Sequence, residues 1–508
     1  MGTDRFRSAL QLPTDDEVTT VAEVPMDAET GTESVEHSGY HQELKRTLGS
    51  FQVFAISFAF ISVAVGIFGT YDDVLQNAGP VGIWLWVVVA VGQILVALVY
   101  AQFAARIPLS GSTYQWASRL ANPKIGWWFG WLTVCYLSFG VVAVDNALAS
   151  QAFMPLFGIA EDEGTARLIT LAMVLAQALL VVFSTRIVAM INASAVGLEL
   201  VIVVVLAIAL VGAVLAKGDG SLGNLVSRGV TENAPNYFAV GGGLMGAMIM
   251  GLATLVGFDA AANLAEEAQD PFRSVPRAIV GSVVAASLLG LVFLIALTVA
   301  IDDVPRISES ASPVAAIMRD QLGPVVERTL LIAITFAFFG AGMVTMAACS
   351  RIVFAMARDS RFPASRLMRQ ISPRTHTPVP ATILICAVAV VLMLALPGAA
   401  LLKLIVAGTI LTVIVYGGTI VLYLAVRGRL DRRAGAFNLG QFELPVAVGA
   451  LVWMVVVLFV VVSPTEARVP VALVAGLGVA GGLYFLWLSR TRREVLDTEP
   501  GDLSVYKH

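Results

Sequence analysis

About twelve apolar stretches, each near the ~20 residues that cross a bilayer as a helix, recur along this chain. They fall at 49–70, 81–105, 126–155, 166–184, 190–216, 240–265, 277–301, 328–356, 379–397, 401–425, 442–463 and 469–489. In lipid every backbone N–H and C=O needs an internal partner, so spanning segments of this length fold as helices. The alternating strands of about ten residues that build a membrane barrel are missing from the pattern. The expected fold class is therefore an all-α polytopic membrane protein with about twelve transmembrane helices. Composition agrees, because only 13% of the residues are charged and 57% are hydrophobic, whereas soluble domains are about a quarter charged.

Charge in the short connections sets the expected orientation. Arg358, Arg361, Arg366, Arg369 and Arg374 follow the eighth stretch, and Arg427, Arg429, Arg432 and Arg433 follow the tenth. Arg106, Arg119 and Lys124 follow the second, and Arg273 and Arg277 the sixth. The alternate connections are poor in base: 71–79 carries Asp72 and Asp73, and 156–165 carries Glu161, Asp162 and Glu163. This bias puts both termini in the cytoplasm of a multi-pass plasma (inner) membrane protein. Residues 1–48 hold ten carboxylates against four basic side chains and no apolar run. That composition predicts a disordered acidic cytoplasmic tail rather than a signal peptide. A transmembrane domain over 49–489 and a second short cytoplasmic tail over 490–508 complete the expected organisation.

Several function classes are excluded. Cys135, Cys349 and Cys386 lie in apolar stretches without CxxC spacing, against a disulfide framework or zinc site. His37, His41, His376 and His508 all lie outside the apolar runs, so neither a histidine metal centre nor a histidine relay is expected in the membrane. No GxxxxGK[ST] phosphate loop or HExxH cluster occurs, which argues against ATP-driven transport by this chain and against a membrane enzyme. No cofactor, metal or nucleic acid is expected. The partners are a small molecule, a coupling ion and the bilayer.

Two stretches are poorly suited to a continuous helix. The first contains Ser57, Ser62, Gly66 and Gly69; the sixth contains Gly241, Gly242, Gly243, Gly246, Gly251 and Gly257, then Asp259. Each Gly costs a helix ~1 kcal/mol relative to Ala, though small residues also let membrane helices pack closely. These stretches lead two successive sets of five. Interrupted segments at matching places in two halves are a sequence pointer to a transport site, where unwound carbonyls meet cations and half-helix N-termini meet anions. Breaks are expected near Ser62–Gly66 and Ala253–Gly257.

The string Gly257-Phe258-Asp259 … Glu266-Glu267 … Asp270-Pro271 … Arg273 … Pro276-Arg277 resembles the end of the sixth helix in the amino acid–polyamine–organocation superfamily. Pro108, Ser110, Gly111, Ser112, Tyr114 and Trp116 resemble that family's loop after helix 2, with Ser112 in place of its second Gly. Ser350, Arg351, Ala355, Ala357, Arg358, Asp359 and Pro363 resemble its segment after helix 8. The resemblance covers roughly residues 45–490 and is greatest to the amino acid/choline branch. Two positions depart: Asn263 stands where many of that branch have His, and Ala64-Val65-Gly66 stands where amino-acid carriers have Gly-Ser-Gly. The resemblance implies a five-plus-five inverted repeat, with repeat one about 49–216, repeat two about 240–425 and two appended helices about 442–489. It also implies a midplane site between helices 1, 3, 6, 8 and 10, and alternating access. The expected activity is secondary active transport of an amino acid or small amine, coupled to H+. The alternatives are an exchanger of the same fold and a non-transporting amino-acid sensor.

The candidate substrate-binding residues are Ser62, Val63, Ala64, Val65 and Gly66 in the first break, and Ala253, Gly257, Phe258 and Asp259 in the second. Asp259 suits either a helix N-cap or contact with a substrate amine; Phe258 suits either an aromatic gate or packing. Glu199 lies in the fifth stretch. An ionisable residue there is a functional-site hypothesis by default, and proton coupling, or a counter-charge to a cationic substrate, is the role expected of it, against a purely structural pairing. Glu266, Glu267 and Arg351 are expected to form a cytoplasmic gate, with Asp270, Arg119 and Arg358 nearby, or else a solvated helix end. Asp145 and Asn146 are expected to face a solvated outer vestibule. Thr254, Thr345, Thr409, Thr412 and Tyr416 can bond substrate or their own helix.

Overall fold

The computed structural model describes residues 48–107, 112–160, 162–183, 185–263, 265, 268–375, 377–396, 399–430 and 436–498. Among these, ten helices are long and apolar enough to cross a membrane, and two shorter apolar helices, Gly243–Thr254 and Val379–Ala395, fill the places of the sixth and ninth expected spans. The acidic tail expected over 1–48 lies outside the described residues except for Leu48, as do the loop residues Pro108, Ser110 and Gly111 and the expected gate residues Glu266 and Glu267.

The first span is two helices, α1 (Ser50–Ile61) and α2 (Val63–Asn77). It is followed by α3 (Leu85–Arg106), α4 (Ser112–Leu120), α5 (Pro123–Ala147), α6 (Glu163–Phe183) and α7 (Thr185–Lys217). The sixth segment contributes α8 (Met248–Thr254) and the single turn α9 (Ala260–Asn263). Then come α10 (Pro271–Val299), α11 (Pro324–Arg358), α12 (Val379–Ala395), α13 (Leu401–Val426), α14 (Glu443–Val462), α15 (Arg468–Thr491) and the short α16 (Arg493–Asp497). The sixth segment, expected over 240–265 with a break near Ala253–Gly257, is short in its helical part and interrupted between Thr254 and Ala260.

Each helix turns one face to its protein neighbours and the opposite face outward. The central helix α10 lies against α3 and α1, α13 against α5, and α11 against α5 and α7. Helix α7 shows the logic. Glu199, Ile202, Val203, Leu206 and Leu210 are buried on one face, while Val201, Val204, Val205, Ile208, Val211 and Leu215 are exposed on the other. The two sets recur at the helical period. Both are apolar apart from Glu199, as expected for a helix between protein and lipid, and the carboxylate takes the protein side.

At the ends of α3 and α14, Arg106 Nη2 meets Glu443 Oε2 at 3.1 Å, with both side chains almost fully buried. A buried pair of this kind adds little net stability over an apolar one, but removing one partner leaves an uncompensated charge at a cost of about 3–5 kcal/mol. It therefore fixes where α14 attaches.

Candidate functional site

The break in the first span is a single residue. Ser62 adopts φ 43° and ψ 76°, a left-handed conformation between two right-handed helices. A non-glycine residue there costs roughly 1–2 kcal/mol, so its surroundings must hold it. Glu199 does so from α7: its Oε1 accepts from Ser62 Oγ at 3.1 Å and from the Ala64 N–H at 3.0 Å. The first turn of a helix has N–H groups without intrahelical partners and a positive dipole end, and a carboxylate from another helix fills that need at α2. The sequence reading placed Glu199 and the Ser62–Gly66 break in separate roles; the fold puts them in contact. The break is narrower than expected, because Val63, Ala64, Val65 and Gly66 are already helical.

The second break runs from Leu255 to Asp259, between α8 and α9. Ala253 lies within α8, one residue short of where the helix ends. Gly257 carries the reversal at φ 85°, a conformation glycine adopts without penalty. Tyr416 of α13 ties this break down. Its hydroxyl donates to Asp259 Oδ1 at 2.7 Å and accepts from the Gly257 N–H at 3.0 Å. Asp259 thus has a tyrosine partner from the tenth span. Phe258 is fully buried, its ring 5.1 Å from that of Tyr416 and 5.6 Å from that of Tyr100.

The two breaks are joined. Ser57 Oγ of α1 donates to the Phe258 carbonyl at 2.9 Å and accepts from the Ala261 N–H at 3.0 Å. On the other side of Ser62, Gly66 of α2 lies so close to α8 that a Cβ at this position would be 2.1 Å from Thr254 Oγ1. Glu199, Ser62, Phe258, Asp259 and Tyr416 are all buried, so these groups are closed off in this conformation.

The remaining candidates separate. Thr254, Thr345, Thr409 and Thr412 each donate to the carbonyl four residues earlier in their own helix. Arg351 is exposed on α11. Asp145 and Asn146 do not face an outer vestibule. Both are buried, and Asp145 Oδ1 accepts from Gln177 Nε2 of α6 at 2.6 Å while Asn146 Nδ2 donates to Thr170 Oγ1 at 3.0 Å. The expectation failed because α6 and α11 close on these residues: α6 supplies Gln177 and Thr170 as their partners, and Gly342 of α11 lies against Asp145.

Two of the motif stretches also meet. Tyr114 donates to Asp359 Oδ2 at 2.9 Å and accepts from Arg361 Nη1 at 3.1 Å. Arg361, fully buried, donates through Nε to the Val495 carbonyl at 3.1 Å and through Nη2 to that of Thr498. These motif residues join the end of α11 to α4 and to the segment around α16. Burial pushes the Asp359 carboxyl above its ordinary range, against the opposing effects of the Tyr114 hydroxyl and of Arg358 and Arg361.

The amino acid permease family profile matches residues 48–469. An amino-acid permease of Arabidopsis thaliana, BAT1, is 26% identical, over 91% of this chain and 95% of its own length. The GABA-specific permease of Saccharomyces cerevisiae is 27% identical, over 88% and 82% respectively. A putative polyamine transporter of Candida albicans is 26% identical, over 71% and 68%. With two broken spans meeting at buried carboxylates and the family profile running through nearly all the spans, this chain belongs to the amino acid permease family of the amino acid–polyamine–organocation superfamily, a family of membrane transporters rather than enzymes.

Proposed function

We propose that the protein is a secondary active transporter that carries an amino acid or small amine across the plasma membrane by alternating access, driven by H+, with both termini cytoplasmic. The site lies between the two repeats, about 49–216 and 240–425, and 442–489 is appended to them. The observation that carries the reading is the placement of Glu199 and Asp259 at the two joined breaks. Because these groups are buried, cargo reaches them only after a rearrangement, which is what alternating access supplies.

The chemistry favours cargo with a cationic amine. The start of a half-helix is where a cargo carboxylate would bind, yet the Ala64 N–H is already engaged by Glu199. Asp259 brings a second carboxylate to the other break. The relatives named for GABA and for polyamines point to cargo carrying an ammonium group. A proton on Glu199 weakens its grip on Ser62 and Ala64, so proton binding and the shape of the break are tied together.

The test is uptake of labelled GABA, diamines and neutral amino acids into proteoliposomes holding the purified protein. Accumulation above equilibrium under an acid-outside gradient, abolished by a protonophore, is expected. Uptake that needs a preloaded counter-substrate and ignores the gradient identifies an exchanger. Ligand-dependent thermal stabilisation without any uptake identifies a sensor.

In the same assay, Tyr416→Phe removes the hydroxyl that serves both Gly257 and Asp259. Leaving those buried groups unpaired costs about 1–3 kcal/mol, which at ~1.4 kcal/mol per factor of ten corresponds to a drop of roughly five- to a hundredfold in uptake. Wild-type initial rates in this variant would remove Tyr416 from the site.

A further inference from the structure

A second buried carboxylate lies away from the two breaks. Asp145 sits near the end of α5, where the helix widens into a π-helical turn over Leu148–Phe153; such turns gather at functional sites. Its side chain is fully buried, as is that of Gln177 on α6. Gln177 Nε2 donates to Asp145 Oδ1 at 2.6 Å and to the Phe339 carbonyl of α11 at 3.1 Å. The other oxygens of the pair, Asp145 Oδ2 and Gln177 Oε1, are buried without a hydrogen-bond partner. Gly342 of α11 presses on both groups: a Cβ there would be 2.7 Å from Asp145 Oδ1, 2.6 Å from Gln177 Nε2 and 3.1 Å from Gln177 Oε1. Three helices close on one carboxyl–amide pair that lacks a donor for two acceptors.

One proton supplies that donor. Placed on Asp145 Oδ2 and donated to Gln177 Oε1, it completes the two-bond ring of a carboxylic acid and a carboxamide, with the existing Nε2–H to Oδ1 bond as the other half. Without it, two buried acceptors stay unsatisfied, each at a cost comparable to a lost hydrogen bond. A metal ion fits less well, since hard cations take six or more oxygens, and no cluster of three or more His, Cys, Asp or Glu able to hold a metal occurs among the described residues.

We propose that Asp145 and Gln177 form an intramembrane proton-binding site, separate from Glu199, whose proton is held while α5, α6 and α11 are packed as seen here and released when α11 shifts from α6. That shift breaks the Gln177 bond to Phe339, frees the amide to turn and opens the ring. The groups facing the pair leave this role to Asp145. Cys386 of α12 interacts with it electrostatically. On α6, Arg167 is bonded to Glu163 and to the Met393 and Leu396 carbonyls. At the outer end of α11, Glu327 pairs with Arg319, and Arg328 lies beside it in the sequence. Lys403, at the start of α13, donates to the Ala399 carbonyl. Asp72 and Asp73 lie on α2, and Arg351 and Arg358 towards the other end of α11.

The test uses the full-length protein in lipid nanodiscs. Infrared difference spectra across a pH titration of Glu199→Gln, which lacks the Glu199 carboxyl, should contain the C=O band of a protonated carboxyl, and Glu199→Gln combined with Asp145→Asn should lose it. Asn can form the amide–amide version of the ring and so preserves the packing. Gln177→Leu keeps the carboxyl but removes its partner, and should move the band to the frequency of an acid without a hydrogen bond. In proteoliposomes, the midpoint of uptake against pH should shift by about one unit or more in Asp145→Asn, a change of ~1.4 kcal/mol in proton affinity. That band persisting in the Glu199→Gln/Asp145→Asn double variant, a band that follows sodium instead of pH, or an uptake profile unchanged in Asp145→Asn would each overturn the proposal. The infrared result stands apart from the Glu199 reading, because it is read in the Glu199→Gln background.

Discussion

Glu199→Gln is expected to yield a folded protein whose uptake no longer responds to an imposed pH gradient. The substitution preserves shape, and Gln Oε1 can still accept from Ser62 Oγ and the Ala64 N–H, the two donors that Glu199 Oε1 holds at 3.1 and 3.0 Å. What is lost is the charge and the capacity to gain and release a proton. Gradient-driven accumulation should vanish while downhill exchange of cargo across the membrane continues. For cationic cargo, apparent affinity should fall by roughly ten- to a hundredfold, the equivalent of the ~1.5–3 kcal/mol carried by a hydrogen bond to a charged group. Proteoliposome uptake with and without a gradient, together with a thermal unfolding curve, separates these effects. A Gln variant with wild-type accumulation would make Glu199 a structural cap for α2, and coupling would then belong to Asp259 or to Asp145.

Gly66→Ala should be nearly as damaging, for a reason that lies in packing. The added methyl would be 2.1 Å from Thr254 Oγ1 and 2.6 Å from Thr254 Cβ. No rotation of the Thr254 side chain moves its Cβ, so α2 and α8 must separate. Overpacking of this kind costs about 1–3 kcal/mol, and here it acts between the two broken segments. Uptake should fall more than tenfold while the protein still reaches the membrane. The exchanged pair Gly66→Ala with Thr254→Gly places the methyl on α2 and the gap on α8; it should recover most of the lost uptake, less ~1 kcal/mol for a glycine within a helix. If the double variant transports no better than Gly66→Ala alone, the close approach is not the cause.

The parts of this molecule that depend on local chemistry were legible. The number and placement of the spans follow from apolar length, and the two interruptions follow from Ser62 and from the glycines and Asp259 of the sixth stretch. The motif residues Tyr114 and Asp359 were identifiable as a family signature, though not as partners. The extent of each break was harder to read. Four of the five residues of 62–66 are helical, because a single left-handed Ser62 is enough once a carboxylate from another helix satisfies the new N-terminus. The reading of Asp145 as solvent-facing failed because nothing in α5 itself records that α6 and α11 close on it.

By itself the sequence determined the solvent of this protein, the segments that cross it and the segments that cannot stay helical, since these depend on hydrophobic length and backbone propensity within one stretch of chain. It also marked the inward face of α7, because Glu199 is the one acidic group in that apolar helix and lipid would not accept it. Which groups meet was decided by the tertiary structure alone. The pairing of Glu199 with Ser62 and Ala64 spans more than a hundred residues, as do those of Tyr416 with Gly257 and Asp259. In helices that are apolar on every side, periodicity does not distinguish the face toward a neighbour from the face toward lipid. Those faces are chosen by close packing, at glycines such as Gly66 and Gly342, and by the need of every buried polar group for a partner.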